Sequence, residues 1–333
     1  MIDPAKHFTW QDGERTIRFG RGAIADTPGL LGDGFVLLTT ARGRAAAPAV
    51  ADAAAHVLDV RPGFVDEIAA ELLAAGLPGG DALLVALGGG RVIDTAKALA
   101  AATGRAAGAI PTTLSAAEMT KVHRLPAGVS GVKGVRPRVV VNDPGLCASQ
   151  PDAELAASAA NSLAHAVEAP LTTLGSPVPS LAALEAARLT AAAYRDAPDE
   201  PDRDALALAA LLSGYGIDGN WYGLSHVCSQ TLVRVGGAGH GPSNAVVLPH
   251  TTAALRRRFP DGLAALDDAC GEPVEVLAAR LAARAGASRI RDLGVDEAAL
   301  EACADAAAGR GELHNTPPPA DREELLGIFR AAW

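Results

Sequence analysis

A run of three glycines is the feature of this sequence best suited to bind a phosphate group. The apolar residues 82–87 predict a strand, residues 88–90 are all glycine, and an alanine-rich helix pattern follows at once. Backbone N–H groups in such a turn can approach a phosphate closely, with the positive end of the helix dipole behind them. Asp94 and Lys97 fall in the first turns of that helix, within reach of the same ligand. The pattern predicts a dinucleotide site. A purely structural turn stays open on this segment alone, because the usual G-x-G-x-x-G spacing is absent.

Three of the eight histidines lie in contexts where they could act together. Asn161 precedes His165 by four residues on a predicted helix, which places both side chains on one face. His226 lies in a second helical pattern, and His240 follows in a glycine-rich stretch that we expect to be a loop. Imidazoles from two helices and a loop can converge on one point, as metal ligands or as acid–base groups. Each histidine taken singly could equally be a hydrogen-bonded residue of the core.

The elements that must position these residues change character near residue 150. Before it, predicted strands alternate with predicted helices, which indicates a parallel, doubly wound sheet. Thr39, Gly88 and Pro111 each end a predicted strand, and such sheets bind ligands at the carboxyl ends of their strands. After residue 150 the pattern is helical almost to the end. We therefore predict an α/β dinucleotide-binding domain over residues 1–150 and an all-helical substrate and catalytic domain over residues 151–333.

The individual elements follow from hydrophobic periodicity and from the positions of glycine and proline. The predicted strands are residues 16–22, 34–40, 56–60, 81–87, a strand ending at 111, and 138–142. The predicted helices are residues 42–55, 65–75, 92–101, 153–169, 180–194, 203–215, 252–258, 274–285, 297–307 and 321–332.

Composition and charge exclude several classes of partner. The formal net charge is −9 and no basic block offsets it, which argues against nucleic acid. No apolar run is long enough to span a bilayer, and residues 1–20 lack the apolar stretch of a signal peptide. The four cysteines are widely spaced without a C-x-x-C pair, which indicates free thiols in a reducing compartment. We expect a cytoplasmic protein that acts on a small molecule.

Several motifs follow one another in a fixed order across nearly the whole chain. They are Gly88-Gly89-Gly90-Arg91-x-x-Asp94-x-x-Lys97, Ile110-Pro111-Thr112-Thr113-Leu114-Ser115-x-x-Glu118, His165-Ala166-Val167-Glu168-Ala169, His226, His240 and Val246-Val247-Leu248-Pro249-His250. In order and spacing they resemble the iron-containing (group III) alcohol dehydrogenase family. The segment Glu118-Met119-Thr120 and the ending Asn315-x-Pro317-x-Pro319…Ala331-Ala332-Trp333 look most like the maleylacetate reductase branch. The resemblance implies a Rossmann-like domain and an all-α domain in a dehydroquinate synthase-like architecture, with the site in the cleft between them, and a homodimer.

The resemblance also implies which residues bind the nicotinamide cofactor. The glycines and Asp94 would hold the pyrophosphate and ribose, and the segment 112–115 would line the pyrophosphate and nicotinamide. An acidic residue at the end of the second strand would accept the ribose hydroxyls, but Thr40 stands there and Arg42 could pair with a 2′-phosphate. NADH and NADPH therefore both stay open. The predicted cofactor-binding residues are Thr39, Thr40, Gly88, Gly89, Gly90, Asp94, Lys97, Thr112, Thr113 and Ser115.

Metal-dependent members of the family hold an ion with one Asp and three His. This chain has His165, His226 and His240 at the matching positions, but Asn161 stands where the Asp would be. A neutral amide is a poorer ligand for a divalent cation than a carboxylate. We therefore expect no catalytic metal, with a three-histidine zinc site as the open alternative. Histidine titrates near working pH, so His226, His240 and His165 are the predicted catalytic residues.

These expectations combine into an NAD(P)H-dependent reductase similar to maleylacetate reductase. It would transfer hydride to an unsaturated oxo-dicarboxylate or to a related carbonyl or enone. Gln230 and Asn244 replace histidines common in that branch, which leaves the substrate itself open. The substrate's carboxylates need cations, and the predicted ones are Lys121, His123, Arg124 and Arg234.

Three alternatives follow from the same residues. A metal-dependent alcohol dehydrogenase or aldehyde reductase would need a bound ion. A sugar-phosphate cyclase-type lyase would need a full metal site and several basic residues for a substrate phosphate, and Lys is scarce in the second half. A non-catalytic nucleotide-binding protein would bind the cofactor without turnover.

Overall fold

The computed structural model describes residues 3–195 and 199–333, and the chain divides into two compact units, residues 1–150 and 151–333. Residues 1, 2 and 196–198, which fall within the predicted domains, lie outside the described residues. Among the helices that the structure describes, none combines the length and apolarity needed to cross a membrane.

The first unit is built on a seven-stranded sheet in the order β1-β2-β7-β6-β5-β3-β4. Only the pair β1–β2 is antiparallel, and all other neighbours are parallel. The strands are β1 (Phe8–Asp12), β2 (Arg15–Phe19), β3 (Val36–Thr39), β4 (His56–Asp59), β5 (Leu84–Gly88), β6 (Ala107–Pro111) and β7 (Val139–Asn142). The helices are α1 (Thr27–Leu31), α2 (Ala41–Ala46), α3 (Pro48–Ala53), α4 (Val65–Ala75), α5 (Gly90–Thr103) and α6 (Pro144–Cys147), with a 3-10 turn at Ala23–Asp26.

The alternation of side chains along the central strands produces a core on each face of the sheet. Leu84 and Ala86 pack with α4 and α5 on one face, whereas Val85 and Leu87 pack with α1 and α3 on the other. Strands buried on both faces read as continuous apolar runs, as residues 84–87 do. This confirms the predicted doubly wound, Rossmann-like α/β class.

The register brings three predicted strand ends to one edge of the sheet. Thr39 pairs with Leu87, the residue before Gly88, and Gly88 pairs with Pro111. The segment that follows each of these strands therefore leaves the sheet beside the glycine turn.

Two details of this unit differ from the predictions. Strand β1 was not predicted, because an antiparallel edge strand with a partly exposed side has no continuous apolar run. The single helix expected over residues 42–55 is two short helices, since Pro48 lacks the N–H needed to continue α2 and begins α3 instead.

In residues 151–195 and 199–333 the regular elements are all helical, as predicted. They are α7 (Asp152–Glu168), α8 (Pro177–Arg195), α9 (Arg203–Asn220), α10 (Leu224–Arg234), α11 (His240–Arg258), α12 (Pro260–Cys270), α13 (Val274–Arg284), α14 (Ala299–Ala308) and α15 (Arg322–Ala332). Short 3-10 turns lie at Ala169–Leu171, Ile290–Leu293 and Gly311–Asn315.

The largest error in this unit concerns α11. The predicted helix 252–258 is only its last part, because α11 begins at His240 and continues through Pro249. The glycines before His240 are not part of a loop that carries the histidine; they precede the helix that carries it. The helical pattern predicted around His226 is α10, for which no bounds were predicted, and α12 was not predicted.

Candidate active site

The turn between β5 and α5 is closed by packing that only glycine permits. A Cβ on Gly88 would lie 2.6 Å from Cγ2 of Val92, so the strand and helix approach as closely as they do because that atom is absent. Gly89 is the N-cap of α5 and has no side chain with which to satisfy the first N–H groups of the helix. An uncapped helix N-terminus at the edge of a parallel sheet is suited to bind a phosphate.

The segment after β6 lies directly against this turn. Thr112, Thr113 and Ser115 are half-buried, whereas Leu114 between them is buried. An added Cβ on Gly89 would meet Thr113 at 3.0 Å, and one on Gly90 would meet Ser115 at 3.1 Å. The structure therefore brings the predicted glycines and hydroxyls together on one surface.

The two threonines at the end of β3 are used within the fold. Thr39 is fully buried, and its Oγ1 donates a hydrogen bond to the carbonyl oxygen of Leu87 at 2.8 Å. Its predicted contact with the cofactor through this side chain is therefore wrong. Thr40 is half-buried and accepts from the N–H of Gly43 at 3.1 Å, which caps α2. The hydroxyl of Thr40 can still donate to a ligand.

Lys97 also differs from its predicted role. Its side chain is fully buried, and Nζ donates to the carbonyl oxygens of Ala117, Thr120 and Val122 at 2.9, 3.0 and 2.8 Å. Asp94, whose side chain is 30% exposed, lies 2.8 Å from the same ammonium. A lysine saturated by internal acceptors cannot bind the cofactor directly, whereas Asp94 keeps an exposed side.

Of the predicted substrate cations, Lys121, His123 and Arg124 lie in the first unit and Arg234 lies in the second. His123 is wrong as a cation, because its Nδ1 donates to the carbonyl of Arg124 and its Nε2 accepts from the N–H of Val135. Burial lowers the pKa of His123, so the ring is neutral and holds the local backbone. Lys121 is half-buried and Arg124 is exposed. Arg234 ends α10, about 12 Å along the helix axis from His226 at 1.5 Å per residue.

In the second unit, His226 is held by a carboxylate that the sequence predictions missed. The Nδ1 atom of His226 lies 2.5 Å from Oε2 of Glu168. Glu168 ends α7 and is completely buried, and His226 lies in the first turn of α10. Because Nδ1 donates to the carboxylate, Nε2 is the nitrogen left to exchange a proton or bind a ligand. That Nε2 atom is buried and has no hydrogen-bond partner among the described residues.

The same carboxylate binds the start of α10. Glu168 accepts from the backbone N–H groups of Gly223, Ser225 and His226 at 3.2, 2.7 and 3.1 Å. A negative charge at a helix N-terminus is stabilised by the helix dipole and by these otherwise unsatisfied donors. The sequence does contain a signal for this role, since an acidic residue inside a buried alanine-rich helix needs a polar partner.

His165 packs beside this pair as a neutral ring. Its ring centroid is 4.7 Å from that of His226, with 14° between the planes. Burial, together with the positive charge that His226 and His240 can carry, holds the pKa of His165 well below its usual range. His165 is therefore unsuited to donate a proton as an imidazolium, although its buried Nδ1 has no partner among the described residues.

An aromatic and charged network also borders His226. The ring of Tyr222 lies 5.5 Å from that of His226, and its hydroxyl donates to Glu312 at 3.2 Å. Arg310 donates to Glu312 and, at 3.0 Å, to Oε1 of Gln230. The amide that replaces a histidine of the reductase pattern is thus fixed one helical turn beyond His226.

His240 is exposed at the first position of α11. Its backbone carbonyl accepts from the side chain of Asn244 at 3.1 Å, and Asn244 itself is buried. Of the three predicted catalytic histidines, the geometry pairs His165 and His226 directly, and His240 acts on His165 through its charge.

The fold and these motifs define a member of the iron-containing alcohol dehydrogenases. The C-terminal model of the Fe-containing alcohol dehydrogenase family matches residues 155–333, more than half of the chain. The chain therefore belongs to this family, and the predicted resemblance is confirmed.

Particular relatives are named as reductases and dehydrogenases. Maleylacetate reductase from Pseudomonas knackmussii is 31% identical over 263 residues, which cover 75% of this chain and 73% of that protein. The crystal structure of maleylacetate reductase from Agrobacterium tumefaciens superposes with a TM-score of 0.80 at 28% identity, covering 98% of both chains. 1,3-Propanediol dehydrogenase from Klebsiella pneumoniae is 31% identical over 214 residues, but the match spans 59% of this chain and only 55% of that relative.

The family name implies iron, and a bound ion needs several donor side chains close together. In the described part of the chain, no three His, Cys, Asp or Glu side chains are grouped so that they could hold an ion. Asn161, buried on α7, contributes a neutral amide, and Nδ1 of His226 is occupied by Glu168. Two buried imidazole nitrogens, one each from His165 and His226, do not complete a site for a divalent cation. The residues as placed do not fit a resident metal.

Proposed function

We propose that this protein is an NAD(P)H-dependent reductase that works without a catalytic metal. The observation that carries the proposal is the Glu168–His226 pair, whose geometry leaves Nε2 of a buried histidine available for proton transfer. The glycine turn with Asp94, Thr112, Thr113 and Ser115 is the proposed site for the dinucleotide. The names of the relatives, which are dehydrogenases and reductases, support this class of reaction.

The proposed reaction transfers a hydride and a proton. When bound, the reduced nicotinamide would supply the hydride for the electrophilic carbon of the substrate and would itself be oxidised. The electron pair of the attacked double bond moves onto the carbonyl oxygen or the conjugated carbon. His226, as an imidazolium, gives the proton on Nε2 to that atom and keeps the proton on Nδ1, and solvent later restores the lost proton.

Glu168 makes the charged histidine possible in a buried place. An uncompensated imidazolium there would be costly, but the carboxylate 2.5 Å away stabilises the positive charge and fixes the ring. His165 remains neutral beside it and so does not compete as the donor. His240 is proposed to assist from its exposed position at the start of α11.

The proposed substrate is an unsaturated oxo-dicarboxylate, or a related carbonyl or enone. Maleylacetate reductases are among the relatives matched over three quarters of the chain, which supports this class. Lys121, Arg124 and Arg234 are the cations proposed for its carboxylates, and His123 is no longer among them.

The choice between NADH and NADPH rests on the end of β3. Thr40 carries no charge to repel a 2′-phosphate, and the exposed Arg42 lies two residues further on. We propose that the site accepts NADPH as well as NADH.

A second candidate has its own supporting observation. Nδ1 of His165 and Nε2 of His226 are both buried without a hydrogen-bond partner in the described structure, which is costly unless a ligand meets them. A metal-dependent alcohol dehydrogenase or aldehyde reductase would place an ion there and would need a further ligand from outside this group.

One assay separates the two candidates. Chelator-treated protein is mixed with NADH or NADPH and with maleylacetate, and cofactor oxidation is followed by absorbance. The proposal predicts turnover that added zinc or iron does not increase. Turnover of aldehydes that appears only after metal is restored would support the second candidate and overturn the proposal.

A further inference from the structure

The ammonium of Lys97 is a buried charge of the first unit with several acceptors around it. It lies on α5, seven residues after the glycine that begins this helix, and its side chain has no exposed surface. Besides the carbonyls of Ala117, Thr120 and Val122, it is 3.3 Å from Oγ1 of Thr120 and 2.8 Å from Asp94. An ammonium has only three N–H donors, so every one of them is used.

The carbonyl groups and the Thr120 hydroxyl belong to one stretch of chain, residues 116–122, which we call the strap, whereas Asp94 lies on α5 itself. The strap has no regular secondary structure, and Ala116 within it has a φ of 60°, a conformation uncommon for residues other than glycine. Arg15 on β2 holds the middle of the strap, because its guanidinium donates to the carbonyl oxygen of Met119 at 3.3 Å. The strap thus keeps its shape through two buried cations that collect its carbonyl groups.

The strap continues directly from the residues that face the glycine turn. A Cβ on Gly90 would lie 3.1 Å from Ser115 and 3.9 Å from Cβ of Ala117, so both residues pack on the turn. The N–H of Ala117 also donates to Oγ of Ser115 at 3.4 Å. A shift of the strap would therefore move Ser115 relative to the first turn of α5.

We propose that Lys97 is a positioning residue for the dinucleotide site: it ties the helix that receives the pyrophosphate to the strap that places Ser115. This inference rests on the cofactor site of the proposed function. Without the ammonium, three inward carbonyls lose their donor and the strap must turn toward other donors. Cofactor affinity falls because the site is no longer preorganised, although Lys97 touches no part of the ligand.

The test compares two buried cations of the same unit. Lys97→Met keeps the length of the side chain and removes its charge. Arg105→Met is the matched control, because the Arg105 guanidinium is also buried and also binds carbonyls, those of Ala82 and Pro78, which lie before β5. The dissociation constant of NADH is measured by fluorescence titration for the wild type and both variants, together with the melting temperature of each.

We expect Lys97→Met to weaken NADH binding by about tenfold or more, and Arg105→Met by less than about twofold. Turnover is not used as a readout, because the strap also contains Lys121, one of the cations proposed for the substrate. If Lys97→Met fails to fold, Lys97→Gln, whose amide retains two donors, gives the same comparison.

If the loss of NADH affinity in each variant simply follows its loss of melting temperature, Lys97 has a purely structural role and the inference is overturned. The readout does not depend on turnover, so a wrong substrate in the proposed function leaves it intact. A wild type that binds neither dinucleotide would overturn both this inference and the proposed cofactor site.

Discussion

Oε2 of Glu168 and Nδ1 of His226 are 2.5 Å apart, and the carboxylate also accepts three backbone N–H groups at the start of α10. One buried side chain thus sets both the orientation of the histidine and the position of the helix that carries it. Because Glu168 fixes Nδ1 of His226, the proton available for transfer is the one on Nε2.

The first prediction concerns Glu168→Gln. The amide is the same size but carries no charge, and its NH2 group faces backbone donors or the histidine. The imidazolium form of His226 then loses its stabilising partner, so we expect turnover to fall by about 10²-fold or more. The proposed cofactor residues all lie in the first unit, so we expect the dissociation constant of NADH to stay the same.

The control for this variant is Glu185→Gln, which removes a carboxylate of α8 that pairs with Arg188 on the same helix. Turnover of Glu168→Gln that matches Glu185→Gln would contradict the role of Glu168 in supporting the charged histidine.

A second prediction concerns Asn161→Asp. Asn161 lies four residues before His165 on the same face of α7, so a carboxylate there would join an imidazole with an available nitrogen. We expect zinc to bind this variant about tenfold more tightly than the wild type, as measured by calorimetry on metal-free protein. Asn161→Ala is the control, since it removes the amide without adding charge. No difference in zinc affinity between the two variants would show that the cluster cannot be completed at this position.

A third prediction concerns the pH dependence of stability through Glu118. This carboxyl group is buried in the strap, where Asn142 donates to its Oε1 at 3.2 Å. Burial raises the pKa of Glu118 from 4.5 to about 7, against the opposing effects of Lys97 and Arg15. Between these two pH values the unfolded chain is ionised while the folded chain keeps the proton. The free energy of unfolding therefore falls as pH rises through this window, by about 3 kcal/mol in all.

Glu118→Gln removes this titration and keeps an acceptor for Asn142. We expect the stability of the variant relative to the wild type to increase between pH 4.5 and about 7 and then to level off. Urea unfolding at a series of pH values measures this difference in the free energy of unfolding, and Glu14→Gln, at an exposed position, is the control. A constant difference across the window would contradict the pKa of Glu118.

The glycine turn and the edge of the sheet could be predicted because local pattern determines them. An apolar strand that enters glycines and then a helix has few possible geometries, and register follows from the parallel order. Lys97 and Thr39 do lie beside the glycine turn, as predicted, but their side chains bind backbone carbonyl groups of the fold and not the cofactor. The direction of a side chain depends on acceptors far along the chain, such as Val122 and Leu87, which no local pattern contains.

For the second unit, the all-helical class could be predicted from the sequence, but the arrangement of its candidate site could not. Its helices carry the alanine-rich pattern, but Glu168 gains its role only when α10 folds its first turn onto the end of α7. His240 was expected in a loop because glycines precede it. In the structure the glycines end at the N-cap of α11, and His240 is the first residue of that helix. Propensity near a helix end is a weak guide when tertiary packing decides where the helix begins.

The most direct test of the account is single-turnover oxidation of NADH by chelator-treated wild type and His226→Asn in the presence of maleylacetate. The asparagine amide can still donate to Glu168 but cannot supply a titratable proton. His250→Asn, a half-buried histidine of α11, is the control. We expect turnover in the metal-free wild type and in His250→Asn, and a loss of about 10²-fold or more in His226→Asn at unchanged NADH affinity. Full turnover by His226→Asn, or a wild type that reduces maleylacetate only after metal is restored, would contradict it.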